Sequence, residues 1–209
     1  MFVFKNKEAN LRTNNYLVTS ILSFLLIWYI YRMDAEFYNQ IAKSSAHRKS
    51  RDDNKDFVLS NPSYLKDLTD IAFNTKDKNH HKACWILELI CEERIEFFIP
   101  FIDKFCETLP DFKIDKALRP TSKICMFLCN SKKVSLTEFQ EEKIIETCLD
   151  RLIDKDLAAT AAYSMRALYE LGKKYDWVNE ELKIIISKDF RNQTPSYRFA
   201  VKDILKRLK

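Results

Sequence analysis

The sequence predicts an all-α protein, built as a stack of antiparallel helix pairs that forms a short α-solenoid. Its 209 residues include one glycine, Gly172, whereas tight hairpin turns and phosphate-binding loops need glycine. No segment shows the alternation of apolar and polar residues that a half-buried strand requires. Helix start and stop signals recur from Met33 to the end of the chain, which favours helices throughout.

The first part of the chain, residues 1–32, differs in character from the rest. Residues 16–31 read YLVTSILSFLLIWYIY and carry no charge. As a helix they would span about 24 Å, close to the roughly 30 Å of a bilayer core. One hypothesis is a membrane anchor, with the main domain in the cytoplasm because basic residues are denser after the segment. The second is an untranslated extension, with translation starting at Met33. The third, a cleaved signal peptide, would need a small-residue site after the apolar run, where Arg32, Met33 and Asp34 follow instead. In each case, residues 33–209 form the predicted helical-repeat domain.

The charge and the cysteines of this domain indicate its partners and its cellular compartment. The formal net charge is +5, but from Met33 onward 31 basic residues face 29 acidic ones. A domain so close to neutrality gives little reason to expect a nucleic-acid partner. The six cysteines lie within apolar helical runs and form no C-x-x-C pair. We therefore predict reduced, buried thiols and a cytoplasmic protein.

The first half of the domain shows three clear helical signals. Asn61-Pro62 predicts an N-cap followed by proline at the first position of the helix SYLKDLTDIAF. The segment from Lys78 to Cys91 contains the dense apolar run ACWILELIC, which indicates a helix buried on most sides. Pro100 lies inside the next apolar segment, so we expect a kink or a break there.

The middle of the domain contains two more helix starts. Asp115 is the predicted cap of a helix that continues to Leu128, and Pro120 should bend it one turn after its start. The sequence Thr137-Glu138-Phe139-Gln140 is a capping box before the run EKIIETCLDRLI.

Three signals organise the end of the domain. An alanine-rich helix from Leu157 to Leu171 is followed by Gly172, which predicts a left-handed helix stop. Asp176 is the predicted cap of the helix WVNEELKIIIS. Thr194-Pro195 repeats the combination of cap and proline before a final helix over residues 196–208.

Small residues recur near the start of alternate helical segments, which suggests internal repeats. Ala83, Ala117, Ala159 and Ala200 lie 34, 42 and 41 residues apart. Helix-pair solenoids repeat at about 34 to 47 residues, and small residues let neighbouring helices approach closely. These spacings favour a solenoid, in which stacked pairs close a continuous core. The alternative is a helical bundle whose alanines recur by chance.

Several stretches carry a resemblance to known families: residues 82–88 (KACWILE), Arg119-Pro120, residues 123–125 and residues 162–165. The body of the chain resembles HEAT and armadillo repeat proteins, which implies stacked antiparallel helix pairs. It also resembles short bacterial helical chains often labelled adenylosuccinate lyase. That lyase is longer and has a mobile serine loop and paired catalytic histidines, so no lyase residue carries over to this sequence.

The sequence contains no catalytic, cofactor-binding or metal-binding motif that we can assemble. His80, His81 and Cys84 place two possible ligands on one helical face, but a structural zinc site takes four. No nucleophile elbow or glycine-rich loop is present. We therefore predict a non-enzymatic protein without cofactor or metal; an enzyme of the adenylosuccinate lyase type is the third-ranked hypothesis.

The predicted function is a scaffold that binds another protein, and three residues are candidates for the interface. Arg119, Arg166 and Trp177 belong to the two residue types most enriched in interface hot spots. Arg119 and Arg166 lie on helices of the alanine-marked set, where an arginine needs an acidic partner or a ligand.

The alternative function is nucleic-acid binding by the C-terminal helices. From Lys183 to Lys209 the chain has eight basic residues and two aspartates, with aromatic residues between them, a composition that can follow a phosphate backbone. The candidate contacts are Arg191, Tyr197, Arg198, Lys202 and Lys206.

Overall fold

The computed structural model describes residues 35–153, 157–188 and 193–208, and the chain divides into two units, Met1–Lys43 and Ser44–Lys209. In the first unit, residues 35–43 are helical, and Phe37 and Ile41 are buried. The apolar segment 16–31 lies outside the described residues, so its role stays a prediction. In the described ranges, no helix has the length and apolarity needed to cross a membrane.

Helices are the only regular secondary structure in the described residues of the second unit, which confirms the predicted all-α class. Nine α-helices follow one another in those ranges, with two short 3₁₀ segments, Ile95–Phe101 and Leu109–Asp111, on either side of the fourth. The α-helices are α1 (Arg48–Ser60), α2 (Tyr64–Phe73), α3 (His80–Arg94), α4 (Ile102–Thr108), α5 (Asp115–Asn130), α6 (Glu138–Ile153), α7 (Ala158–Gly172), α8 (Asp176–Ser187) and α9 (Pro195–Arg207).

These helices form two layers. The first layer, layer A, contains α1, α3, α5, α7 and α9, each packed against the next member. The second layer, layer B, contains α2, α4, α6 and α8 in the same sequential arrangement. The layers pack on each other mainly through α2 with α3, α6 with α7, and α7 with α8. Each helix thus packs on a neighbouring helix of its own layer, and most also pack on an adjacent helix of the other layer, as expected for a solenoid of stacked helix pairs.

The alanine pattern marks layer A, with one correction. Ala83, Ala117 and Ala200 lie in α3, α5 and α9 and are buried. Ala159 is exposed, whereas Ala161, two residues later in α7, is fully buried. Small side chains at these positions let consecutive helices of the layer pack closely.

Two predicted helix starts are confirmed by their hydrogen bonds. In the capping box, the backbone N–H of Thr137 donates to Gln140 Oε1 (3.0 Å), and the N–H of Gln140 donates to Thr137 Oγ1 (3.3 Å). At α9, the Tyr197 N–H donates to Thr194 Oγ1 at 3.3 Å, and Pro195 is the first helical residue. The expected break at Pro100 is the 3₁₀ segment before α4.

Three predicted caps are wrong. Asn61 ends α1, where its side-chain amide donates to the Phe57 carbonyl at 2.9 Å. Asp115 and Asp176 are the first helical residues of α5 and α8, after the caps Ile114 and Tyr175. There the carboxylates still favour the helix start through its dipole.

Gly172 ends α7 for a reason other than the predicted left-handed backbone. Its φ lies outside the left-handed region, and a Cβ at this position would lie 1.9 Å from Asn179 Oδ1. The Asn179 side chain also donates to the Gly172 carbonyl at 2.8 Å. The glycine is therefore needed for the close approach of α8 to the end of α7.

Candidate functional site

A cluster of charges between α3 and α5 of layer A is centred on a buried carboxylate, Glu88 of α3. Its side chain is 2% exposed and accepts from Arg119 Nη2 at 2.7 Å and from Lys123 Nζ at 3.1 Å. Lys123 also reaches Glu92 at 3.2 Å. We call these four residues the Glu88 cluster. Glu88 is almost inaccessible to solvent, so it serves to orient the two cations of α5. Arg119 is 36% exposed, and its remaining N–H donors are available to a ligand.

Arg166, the second predicted interface residue, lies one helix further along layer A. Its guanidinium carbon is 5.9 Å from the centroid of the Tyr163 ring, and Lys123 Nζ is also 5.9 Å from that centroid. Arg166 forms no ion pair with any described residue. The structure therefore gives Arg119 the acidic partner that the sequence required, and gives Arg166 an aromatic ring instead.

A cleft of about 320 Å³ opens beside the Glu88 cluster, between α1, α3 and α5. We call it the cationic cleft because three of its lining residues are basic. It is lined by Ala46, Arg51, Trp85, Asp115, Lys116 and Arg119.

Trp177, the third predicted interface residue, lies in a different cleft, at the start of α8 on layer B. This cleft has a volume of about 410 Å³, and we call it the Trp177 cleft. The indole is 54% exposed. The lining residues are Glu138, Glu142, Ile145, Glu146, Tyr175 and Trp177.

The charge of the Trp177 cleft is negative. Glu138, Glu142 and Glu146 are four residues apart on α6 and therefore share one helical face. Glu146 pairs with Lys143 at 2.8 Å, whereas Glu138 and Glu142 form no ion pair with any described residue. Two uncompensated carboxylates thus lie beside an exposed indole.

Hydrogen bonds fix the aromatic wall of this cleft. Tyr175 Oη donates to Glu141 Oε2 at 2.7 Å, and Lys174 Nζ lies 2.6 Å from the same oxygen. The bond to the Glu141 carboxylate raises the pKa of the Tyr175 phenol. The tyrosine ring is therefore held in position without a partner present.

The residues predicted to contact nucleic acid differ in their exposure to solvent. Tyr197 is 1% exposed, and its burial raises the pKa of its phenol. This prediction is wrong because the ring packs in the core, where no phosphate backbone or base can reach it. Arg198, Lys202 and Lys206 are exposed on α9, as such a contact requires. Arg191 lies outside the described residues, and the nucleic-acid contact stays a prediction.

The histidines and cysteines do not form a ligand set. His80 is buried, with Nδ1 2.7 Å from the Asp77 carbonyl oxygen and its ring stacked on Phe112. The described residues contain no group of three His, Cys, Asp or Glu side chains able to hold a metal. All six cysteines are free, and five are buried.

A polar group in the core was not predicted from the sequence. Arg151 of α6 is buried, and its Nη1 donates to Ser122 Oγ of α5 at 2.8 Å, while Ser164 Oγ of α7 lies 3.3 Å from the same oxygen. A hydrogen bond from Cys125 lowers the pKa of the Cys148 thiol, and the Arg151 charge acts in the same direction. These bonds tie α5, α6 and α7 together; no local signal in the sequence indicates them.

Comparison with known proteins identifies the family. A family model described as a HEAT repeat domain matches residues 39–208, most of the chain. No curated protein and no solved structure matches the sequence, so the resemblance to chains labelled adenylosuccinate lyase has no support. Proteins built from such repeats commonly bind other proteins along their extended surfaces. The match agrees with the two-layered stack of helices, and the chain belongs to the HEAT repeat family.

Proposed function

We propose that the protein is a non-enzymatic scaffold that binds a basic segment of another protein in the Trp177 cleft. The observation that carries this proposal is the Trp177 indole, which is 54% exposed at the edge of an open cleft. Exposing a side chain of this size to water is unfavourable, and tryptophan is the residue type most enriched in interface hot spots.

The charge of the cleft indicates the chemistry of the partner. Glu138 and Glu142 line the cleft and have no cationic partner among the described residues. A lysine or arginine of the partner would pair with these carboxylates and lie against the face of Trp177. Cations over an indole gain about 0.5–2 kcal/mol, in addition to the ion pair.

The remaining surface supports a role in binding. The cationic cleft and Arg166 offer further contacts on layer A, where partly exposed arginines adjoin aromatic rings. The free cysteines support the proposed location in the cytoplasm, where thiols stay reduced.

Affinity capture with matched variants tests the proposal. The tagged full chain, its Trp177→Ala variant and its Ile184→Ala variant are each used to recover partners from native cells, with half of each sample treated with nuclease. Ile184 is a suitable control because it is also a large exposed apolar residue of α8, at 49%, and does not line the cleft. Circular dichroism first establishes that all three fold equally.

We expect the same protein from the unmodified chain and from Ile184→Ala, with and without nuclease, and its loss from Trp177→Ala. Equal recovery with Trp177→Ala would refute the assignment of the cleft. Partners that disappear after nuclease treatment would favour nucleic-acid binding through Arg198, Lys202 and Lys206.

A further inference from the structure

We infer that the cationic cleft of layer A is a second binding site, which takes acidic side chains of a partner protein segment. It lies on α1, α3 and α5, helices that contribute nothing to the Trp177 cleft. Its charge is opposite, so it selects a different segment. A scaffold with both sites can hold an acidic and a basic segment at the same time.

The first argument is the excess of unpaired donors. Arg51 Nε is shielded from solvent and has no hydrogen-bond partner. Lys116 is exposed and forms no ion pair with a described residue. Arg119 uses one of its nitrogens on Glu88. Against these three cations the cleft lining contains one carboxylate, Asp115, so its net charge is positive.

The second argument is the fixed aromatic wall. Trp85 Nε1 donates to the Lys116 carbonyl at 2.8 Å, which ties the indole to the start of α5. The His81 ring packs edge-on against the indole, with centroids 5.0 Å apart. Burial, together with the nearby His80 and Lys116, lowers the pKa of His81, which disfavours a positive charge on this ring. A preformed wall reduces the ordering cost of binding.

The third argument separates an acidic protein segment from nucleic acid. The cations are confined to one cleft of about 320 Å³, whereas a nucleic-acid backbone needs a basic stripe along a face. Carboxylates also interrupt the surface: Asp115 lines the cleft, and Glu92 of the adjoining Glu88 cluster is 43% exposed. A few spaced carboxylates fit this arrangement, and a continuous row of phosphates does not.

Fluorescence of Trp85 tests the inference. The full chain with Trp28→Phe and Trp177→Phe retains Trp85 as its one tryptophan and is titrated at low salt with a hexaglutamate peptide. Lys116→Gln is compared with Lys113→Gln, a nearby exposed lysine that lies outside the cleft lining. Both variants have the same net charge, so the comparison removes long-range attraction to the protein as a whole.

We expect a saturable change in Trp85 emission. Lys116→Gln should bind the peptide about threefold more weakly, as for an exposed ion pair, and Arg51→Gln combined with Lys116→Gln about tenfold more weakly or beyond. Lys113→Gln should bind as the parent does. If the Arg51 change impairs folding, as circular dichroism would show, Lys116→Gln alone decides the question because its side chain is exposed.

Three results would overturn the inference: no change in Trp85 emission with hexaglutamate, equal weakening by Lys113→Gln and Lys116→Gln, or tighter binding of a twelve-nucleotide single strand than of hexaglutamate at Trp85. None of these concerns the Trp177 cleft, which this reporter does not sense. Failure here therefore leaves the proposed function to its own test.

Discussion

The close contact between Gly172 and Asn179 makes the change Gly172→Ala a sensitive test of how layers A and B join. An alanine Cβ would lie 1.9 Å from Asn179 Oδ1 and 2.2 Å from its Cγ. The Asn179 side chain would have to move, which breaks its 2.8 Å hydrogen bond to the Gly172 carbonyl. The perturbation is therefore a defined side-chain displacement at the turn between α7 and α8.

The expected magnitude follows from three terms. Loss of the hydrogen bond costs about 1 kcal/mol, and forcing the side chain out of a packed site costs about 1–3 kcal/mol. Alanine favours the helix over glycine by up to about 1 kcal/mol. The free energy of unfolding should thus fall by about 1–3 kcal/mol.

Urea denaturation followed by circular dichroism measures this change, and Asn179→Ala provides the control. In the Asn179→Ala background the obstructing amide is gone, so Gly172→Ala should no longer destabilise and should stabilise by a fraction of 1 kcal/mol, because only the helix-propensity term remains. The same destabilisation in both backgrounds would refute the argument, because the cost would then come from the backbone conformation at Gly172.

Two further predictions concern charged groups. Glu88→Ala should lower the free energy of unfolding by about 2 kcal/mol, which is less than the loss of a fully buried pair because Lys123 retains Glu92 as a partner. Glu92→Ala should lower the free energy of unfolding by at most about 0.5 kcal/mol. Urea denaturation measures both changes, and equal losses of stability would contradict this prediction. The pKa of Glu96 is lowered to about 2 from its ordinary 4.5, first by the hydrogen bond from Arg94. Because the folded-state pKa is the lower one, the stability from this group is present above pH 4.5 and is lost as the pH falls to about 2. An NMR titration should show a midpoint near 2 that rises in Arg94→Gln, and a midpoint near 4.5 in the unmodified chain would contradict the assignment.

Local signals explain which parts of the fold were predictable from the sequence. The capping box at Thr137 and Gln140 and the cap at Thr194 depend on residues three apart, so the sequence specifies both partners of each bond. The all-α class followed from the near absence of glycine and of alternating segments. Pro100 predicted a helix break because proline cannot donate the hydrogen bond that a helix interior requires.

The features missed or misassigned depend on contacts between distant segments. Gly172 matched a left-handed stop, and only the position of Asn179 shows that close packing requires it. Tyr197 matched an aromatic surface contact, because its position within α9 does not by itself show which face is buried. Arg119 was predicted to need an acidic partner, but its identity as Glu88, 31 residues earlier, required the packing of α3 against α5.

The two clefts also depend on contacts between distant segments, so the sequence could predict them only in part. Trp177 and Arg119 were candidates on residue type alone, since tryptophan and arginine dominate interface hot spots. The three glutamates of α6 share a helical face, which the spacing does show, but α6 and the start of α8 meet only through the fold. The sign of charge in each cleft, and hence the class of partner, could be inferred only after the layers were assembled.

The most direct test of the central claim is a fluorescence titration of Trp177. The full chain with Trp28→Phe and Trp85→Phe retains Trp177 as its single reporter and is titrated with a hexalysine peptide. The account predicts a saturable change in Trp177 emission. The affinity for the peptide should fall severalfold in Glu142→Gln and stay unchanged in Glu180→Gln, because Glu180 is an exposed glutamate of α8 outside the cleft lining. An unchanged emission, or an equal response of both glutamate variants, would contradict the claim that this cleft binds a basic segment.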